Sequence, residues 1–184
     1  TMSSFNPIRR RDALQVLKNL REDSGTGPDA ISARLLKNCA FELSVPMAMI
    51  ARLIFQCGIW PFPWKLHWLF PLFKRKSRSN AGNYRGIHLT SQVSKVVERM
   101  VANRLLPFFE STRAYGRNQF AYHRGRGYRD ALAYTVCHWV WAVGTGRRVA
   151  VYCSDVSGAF DRVCSSRLLL KLRAAGISEG FAKV

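Results

Sequence analysis

Acidic residues are scarce in this sequence. Eleven Asp and Glu stand against 29 Lys and Arg in 184 residues, which leaves a formal charge of +18 at neutral pH. Charge of that size repels itself in a folded chain and is usually kept for a polyanionic partner. Paired cysteines at metal-site spacing are also missing. The five cysteines (Cys39, Cys57, Cys137, Cys153, Cys164) include no Cys-x-x-Cys, and none has a histidine at zinc-ligand spacing. They are expected to be buried free thiols of a reducing compartment. The scattered histidines, His67, His88, His123 and His138, are assigned no metal. No apolar run is long and clean enough to suggest a bilayer span, and no secretory pattern opens the chain. With a membrane surface placed second, nucleic acid is the expected polyanion. The expected localisation is intracellular, with nucleus and cytoplasm undecided.

What is present is enough apolar sequence for the core of one compact domain. Leu14, Val16, Leu17 and Leu20 fit one helical face between Arg11 and Leu20. The run Ser24-Gly25-Thr26-Gly27-Pro28-Asp29 breaks it, and Asp29 is positioned to cap a helix starting near Ala30 with Ile31, Leu35 and Leu36. A further helix is expected from about Glu42 to Gln56, stopping at Gly58, with an extended stretch at Pro61 and Pro63. Strand-like, aromatic-rich sequence follows from Trp64 to Phe73, then Lys74-Arg75-Lys76-Ser77-Arg78, a turn, and a second strand from Tyr84 to Leu89. This reads as a hairpin with a strongly positive tip. Val93, Val96, Val97, Met100, Val101 and Leu105 give the best helical periodicity, between Ser91 and Leu106. A Gly- and Arg-rich loop from Tyr115 to Gly127 leads to a helix with Leu132, Val136, Trp139, Val140 and Val143 on one face. Val149 to Tyr152 reads as a short buried strand that delivers Asp155 at its exit. A last helix, Leu168 to Ala175, is capped by Ser165 and closed by Gly176. The expected class is α+β.

Asp155 is the residue to explain. A carboxylate leaving a buried strand is costly unless a divalent metal, a helix N-terminus or an arginine compensates it. The string Asp155-Val156-Ser157-Gly158-Ala159-Phe160-Asp161 resembles the first palm motif of reverse transcriptases, especially those of non-LTR retrotransposons. Other segments resemble the same family in its order. Thr26-Gly27-Pro28-Asp29-Ala30-Ile31 is similar to its Pro-Gly-Pro-Asp-Gly-Ile element, with Thr26 and Ala30 departing. Trp64, Pro71-Leu72-Phe73-Lys74 and Asn83-Tyr84-Arg85-Gly86-Ile87-His88-Leu89 resemble the fingers motif Asn-Tyr-Arg-Pro-Ile-Ser-Leu, with Gly86 for the usual proline and a looser loop expected there. Lys95 and Glu98 fall where the next helix of the family has such residues. Asn118 to Tyr122, with Gly125-Arg126-Gly127 and Asp130, resembles the Gln-x-Gly-Phe motif, with Ala121 departing. The resemblance runs from about Ser24 to Ile177.

The resemblance implies the fingers and partial palm of a right-hand polymerase. It divides the chain into an N-terminal helical extension (1–23), a fingers-like region with the basic hairpin (24–146), and a first palm strand, catalytic loop and helix (147–184). It implies nucleotidyl transfer with two Mg²⁺ ions that hold the attacking and leaving oxygens. Asp155 and the Val156 carbonyl would be metal ligands. Phe160 would lie beneath the incoming sugar, with core packing as its plainer alternative. Asp161 would cap or hydrogen-bond the loop, with direct metal binding as its alternative. Lys74 and Arg85 would grip the dNTP triphosphate, an arginine fork suiting two phosphate oxygens at once. Lys76 is an alternative to Lys74. Arg75, Lys76 and Arg78 would also face template phosphates, and Arg124 and Arg126 form a second nucleic-acid-binding loop. The expected partners are an RNA template, a DNA primer, dNTP and the remainder of the polymerase chain.

The second palm element of the family carries two adjacent aspartates, and no Asp-Asp pair occurs in this sequence. With Thr1 ahead of Met2 and the end at Val184 just past a helical pattern, an excerpt of a longer polymerase is expected, inactive alone. The alternative is a non-catalytic basic nucleic-acid-binding module, a decayed or domesticated copy. An unrelated structural RNA-binding protein is the third reading.

Overall fold

The computed structural model describes residues 8–178. The chain is a mixed α+β arrangement that divides into two compact units, one of residues 1–106 and 176–184, the other of residues 107–175. The first unit is built on α1 (Arg10–Lys18), α2 (Ala33–Asn38) and α3 (Ala40–Cys57), followed by one turn of helix, α4 (Phe62–Lys65). An antiparallel hairpin of β1 (Trp68–Phe73) and β2 (Tyr84–Leu89) comes next, and then α5 (Gln92–Ser111), in which the division between units falls at Pro107. The second unit holds α6 (Tyr128–Gly144) and α7 (Ser165–Ala174).

Periodicity explains the core of the first unit. Ala13, Val16 and Leu17 are the buried residues of α1, at the spacing of one helical stripe, and they pack with Met47, Ala48, Ala51 and Ile54 of α3. Leu36 of α2 and Val96, Val97 and Met100 of α5 complete the cluster, and Ile8 lies in it fully buried. Polar ties fix the helices around this centre. The Arg10 Nε donates to Ser44 Oγ at 3.0 Å. Arg52 Nε donates to the Ile8 carbonyl at 2.7 Å. Arg104 of α5 donates to Asp12 of α1 at 2.6 Å, and the same carboxylate oxygen accepts from the Arg9 amide at 2.9 Å, which caps α1.

Several local expectations need correcting. The second helix begins three residues later than Ala30, because Ser32 rather than Asp29 is its cap and accepts from the Leu35 amide at 3.1 Å. Asp29 instead closes a turn by accepting from the Ile31 amide at 3.3 Å, around an Ala30 held at φ 56°. Pro61 is extended, at φ −56° and ψ 131°, but the extended stretch does not reach Pro63. Pro63 sits in the first turn of α4, where its missing N–H is no loss. Cys164, not Ser165, precedes the first residue of α7. The cysteines are free but not buried: Cys57, Cys137, Cys153 and Cys164 are exposed and Cys39 is intermediate. Four of them fall on surfaces that the structure leaves uncovered. By length and composition α3 is apolar enough to cross a membrane, contrary to expectation, and its inner face packs in the first-unit core.

The run Val149 to Tyr152 is neither a strand nor buried. Val151 is 55% and Tyr152 89% exposed, and no ladder partner lies among the described residues. Apolar β-formers make a strand only when a neighbouring strand takes their backbone hydrogen bonds. The second unit contains no buried residue at all, and Leu132, Val136, Val140 and Val143 leave the apolar side of α6 open.

Three substitutions in the first unit test this packing. A Cβ built on Gly27 would lie 2.6 Å from the Ser91 nitrogen and the Thr90 carbonyl carbon, both backbone atoms. Gly27→Ala is expected to cost about 2 kcal/mol, because the obstruction cannot rotate away. Ala30→Gly relieves left-handed backbone and is expected to be neutral or stabilising by up to about 1 kcal/mol, both read from urea midpoints. Burial pushes the Asp12 carboxyl up, but the Arg9 amide and the Arg104 and Arg11 charges outweigh it and hold the pKa below its usual 3.8. A depressed carboxylate stabilises the fold above the unfolded pKa and loses that effect as pH falls through the folded one. Asp12→Asn should therefore cost about 2 kcal/mol at pH 7. The gap to the unaltered chain should close only under acid, below pH 3.8.

Candidate nucleic-acid interface

Between Glu42 and Glu98 the sequence contains no acidic residue, and the hairpin lies inside that interval. Its register pairs Trp68 with Leu89, Leu72 with Arg85 and Phe73 with Tyr84. The ladder runs one step further, since the Lys74 amide donates to the Asn83 carbonyl at 2.8 Å. Alternation along each strand then separates two faces. Phe70, Leu72 and Lys74 share one with Arg85 and Ile87. Leu69, Pro71 and Phe73 share the other with Tyr84, Gly86 and His88. Lys74 and Arg85 are thus diagonal neighbours on a single face, a separation of roughly 7–8 Å between such positions. Both are exposed, and neither side chain has an ion pair among the described residues.

The tip is ordered by its own contacts. The Tyr84 hydroxyl donates to the Arg78 carbonyl at 2.9 Å, and Asn83 Nδ2 donates to the Ser77 carbonyl at 2.7 Å. The Arg78 guanidinium lies 5.3 Å from the centre of the Phe73 ring, which in turn meets Tyr84 edge-on at 5.4 Å. Lys76 adopts φ 71° in the turn, and Arg75 beside it is exposed. Arg78 is therefore committed to the Phe73 side, while Lys74 and Arg85 project from the opposite one. Gly86 is not in a loop. It lies within β2 opposite Pro71, and a Cβ there would meet Leu69 Cδ1 at 2.6 Å.

In the second unit, Arg124 and Arg126 lie in the irregular segment ahead of α6. Arg126 donates to the Arg117 carbonyl at 3.2 Å, and its guanidinium stands 5.9 Å from the Phe120 ring centre. The loop ends at Gly127, whose amide donates to Asp130 at 2.7 Å and so caps α6. Sequence reasoning missed the ring stack beside it: Phe109 meets Tyr115 at 5.8 Å and Tyr115 meets His123 at 5.5 Å. These rings, with Arg113, Arg117 and Arg126, line a cavity of about 330 Å³. Phe109 ends α5, whereas Tyr115 and His123 come from the irregular segment after it, which has no period to reveal them.

Asp155, Val156, Phe160 and Asp161 share one exposed loop of the second unit. Gly158, at φ 62°, turns the chain, and the Arg162 amide closes the turn on the Gly158 carbonyl at 3.2 Å. Phe160 is 88% exposed, so core packing does not explain it here. Asp161 makes no side-chain hydrogen bond among the described residues and lies over Gly158, where an added Cβ would approach Oδ2 to 3.5 Å. Among the described residues no group of three His, Cys, Asp or Glu could hold a metal ion. One carboxylate and one carbonyl are too few for Mg²⁺, so these residues do not by themselves fit the ion.

No family model matches the chain. It is similar over 170 residues, 92% of its length, to three Drosophila melanogaster proteins: a probable RNA-directed DNA polymerase from transposon BS (26% identical), one from transposon X-element (24%), and the RNA-directed DNA polymerase from mobile element jockey (27%). The chain spans 19% of the length of each of these relatives. The resemblance read from the ordered motifs is therefore met by whole-chain similarity to retrotransposon RNA-directed DNA polymerases.

Proposed function

We propose that this chain is the fingers and first palm segment of a non-LTR retroelement reverse transcriptase and does not polymerise DNA by itself. The observation that carries this reading is the placement of Lys74 and Arg85 on one exposed, unneutralised hairpin face. Two cations at that separation can hold neighbouring phosphates of a nucleoside triphosphate, while Arg75, Lys76 and Arg78 at the turn meet the template backbone. Similarity across 92% of the chain to retrotransposon polymerases supports it.

In the whole polymerase, Asp155 and the Val156 carbonyl would contribute ligands for Mg²⁺ only together with carboxylates from the remainder of the polymerase chain. When bound, the ions supply charge stabilisation for nucleotidyl transfer. This chain's own part is to place the triphosphate with Lys74 and Arg85 and to hold Phe160 exposed at the sugar position. Arg124 and Arg126 add to the grip on the RNA template and DNA primer. The open side of α6 and the unpaired run before Asp155 are surfaces the remainder of the chain would cover.

The competing reading is a basic module that binds nucleic acid without catalysis, and the charge of +18 favours it equally. Binding of dNTP that depends on Mg²⁺ separates the two. The isolated chain is expected to extend no primer on an RNA template. Extension that disappears in Asp155→Asn would sink that expectation. In the longer protein, Asp155→Asn should reduce incorporation to background, and Arg85→Ala should raise the KM for dNTP by about tenfold or more. An unchanged KM would remove Arg85 from the triphosphate site.

A further inference from the structure

Two helical stripes of the first unit face one another across a groove that neither the hairpin nor the Asp155 loop uses. Gln15 of α1 and Asn19, the residue that caps its end, stand one turn apart, and on α5 Lys95, Arg99 and Asn103 occupy three successive turns. With Arg21 they line an open cavity of about 490 Å³, within the roughly 300–1,000 Å³ typical of ligand sites. No carboxylate lines it. Arg21 is paired with Asp23 at 2.8 Å, so its charge is largely spent. Lys95 and Arg99 have no ion pair among the described residues. Two adjacent uncompensated cations in a recess repel each other, and an anion between them relieves that.

The amides narrow the choice of anion. Asn19 Nδ2 donates to the Gln15 carbonyl at 2.9 Å, which leaves its Oδ1 as an acceptor. Gln15 and Asn103 offer a donor and an acceptor each. A simple phosphate would use only donors, whereas a nucleotide also presents donors on its base edge and sugar. We infer that this groove binds one nucleotide unit of a single-stranded nucleic acid, with Lys95 and Arg99 on its phosphates and the amides on its base or ribose. The site is independent of polymerase chemistry, so it stands or falls separately from the role given to Asp155.

The test is binding of a fluorescent single-stranded RNA 12-mer to the 184-residue chain across a salt series. Lys95→Gln with Arg99→Gln should weaken binding roughly tenfold and flatten the log–log salt slope by about 1.4, two phosphate contacts at about 0.7 each. Lys18→Gln, an exposed α1 cation outside the groove, serves as the control for general field and should change the slope by clearly less than either groove cation alone. Because Lys95 is half-buried and its replacement could disturb α5, exposed Asn103 gives a second reading that does not depend on the double variant. Asn103→Asp should weaken binding and Asn103→Lys should tighten it. Affinity indifferent to both Asn103 changes, or a double variant no weaker than Lys18→Gln, overturns the inference. Competition separates the sources of phosphate: inorganic phosphate and AMP should displace the 12-mer only at millimolar levels. Displacement by either at micromolar levels would make the groove a small-molecule site and overturn the strand assignment.

Discussion

The close approach of Gly27 to the Thr90–Ser91 backbone is the constraint on which the first unit turns. It brings the loop after α1 against the segment that opens α5, and Gln92, almost fully buried, seals the contact by donating to the Gly25 carbonyl. Ser91 then starts the helix, its hydroxyl accepting from the amides of Val93 and Ser94 at 3.1 and 3.3 Å. From that start, the phase of α5 is set. Val96, Val97 and Met100 point into the core, and Lys95 and Arg99 are left beside α1. The two segments that resemble family motifs, Thr26 to Ile31 and Asn83 to Leu89, are thus not independent signatures. Gly27 of the first packs on Thr90 and Ser91, the residues that directly follow the second, with no room for a side chain.

Much of this architecture was legible in the residues. α1, α3, α5 and α6 lie where apolar periodicity placed them, and two strands flank the basic turn as expected, although β1 starts at Trp68 and Trp64 belongs to α4. What stayed hidden had physical causes. Asp29 and Ser32 are both competent caps, and only the left-handed turn at Ala30 decides between them. Val149 to Tyr152 has the composition of a strand, but composition cannot supply a neighbour. Exposure of the cysteines depends on which surfaces find partners, and the second unit has buried none of its residues.

The candidate site was legible unevenly. Lys74 and Arg85 were nameable from the motif, yet their shared face follows only from the pairing of Leu72 with Arg85. The facing stripes of α1 and α5 were less visible still, because Gln15, Asn19 and Asn103 are residues any exposed helix carries. Their meaning comes from two helices meeting at an angle that no single stretch of sequence encodes.

Ile177, only 4% exposed, belongs with the first unit although it follows the whole of the second. The second unit is therefore an insertion between two parts of one compact body. During synthesis from the N-terminus, the whole insertion would emerge before Ile177, the last buried residue among the described residues. A chain that ends or is cut inside 107–175 would lack Ile177, a buried residue of the first unit that lies beyond the whole of the second in sequence.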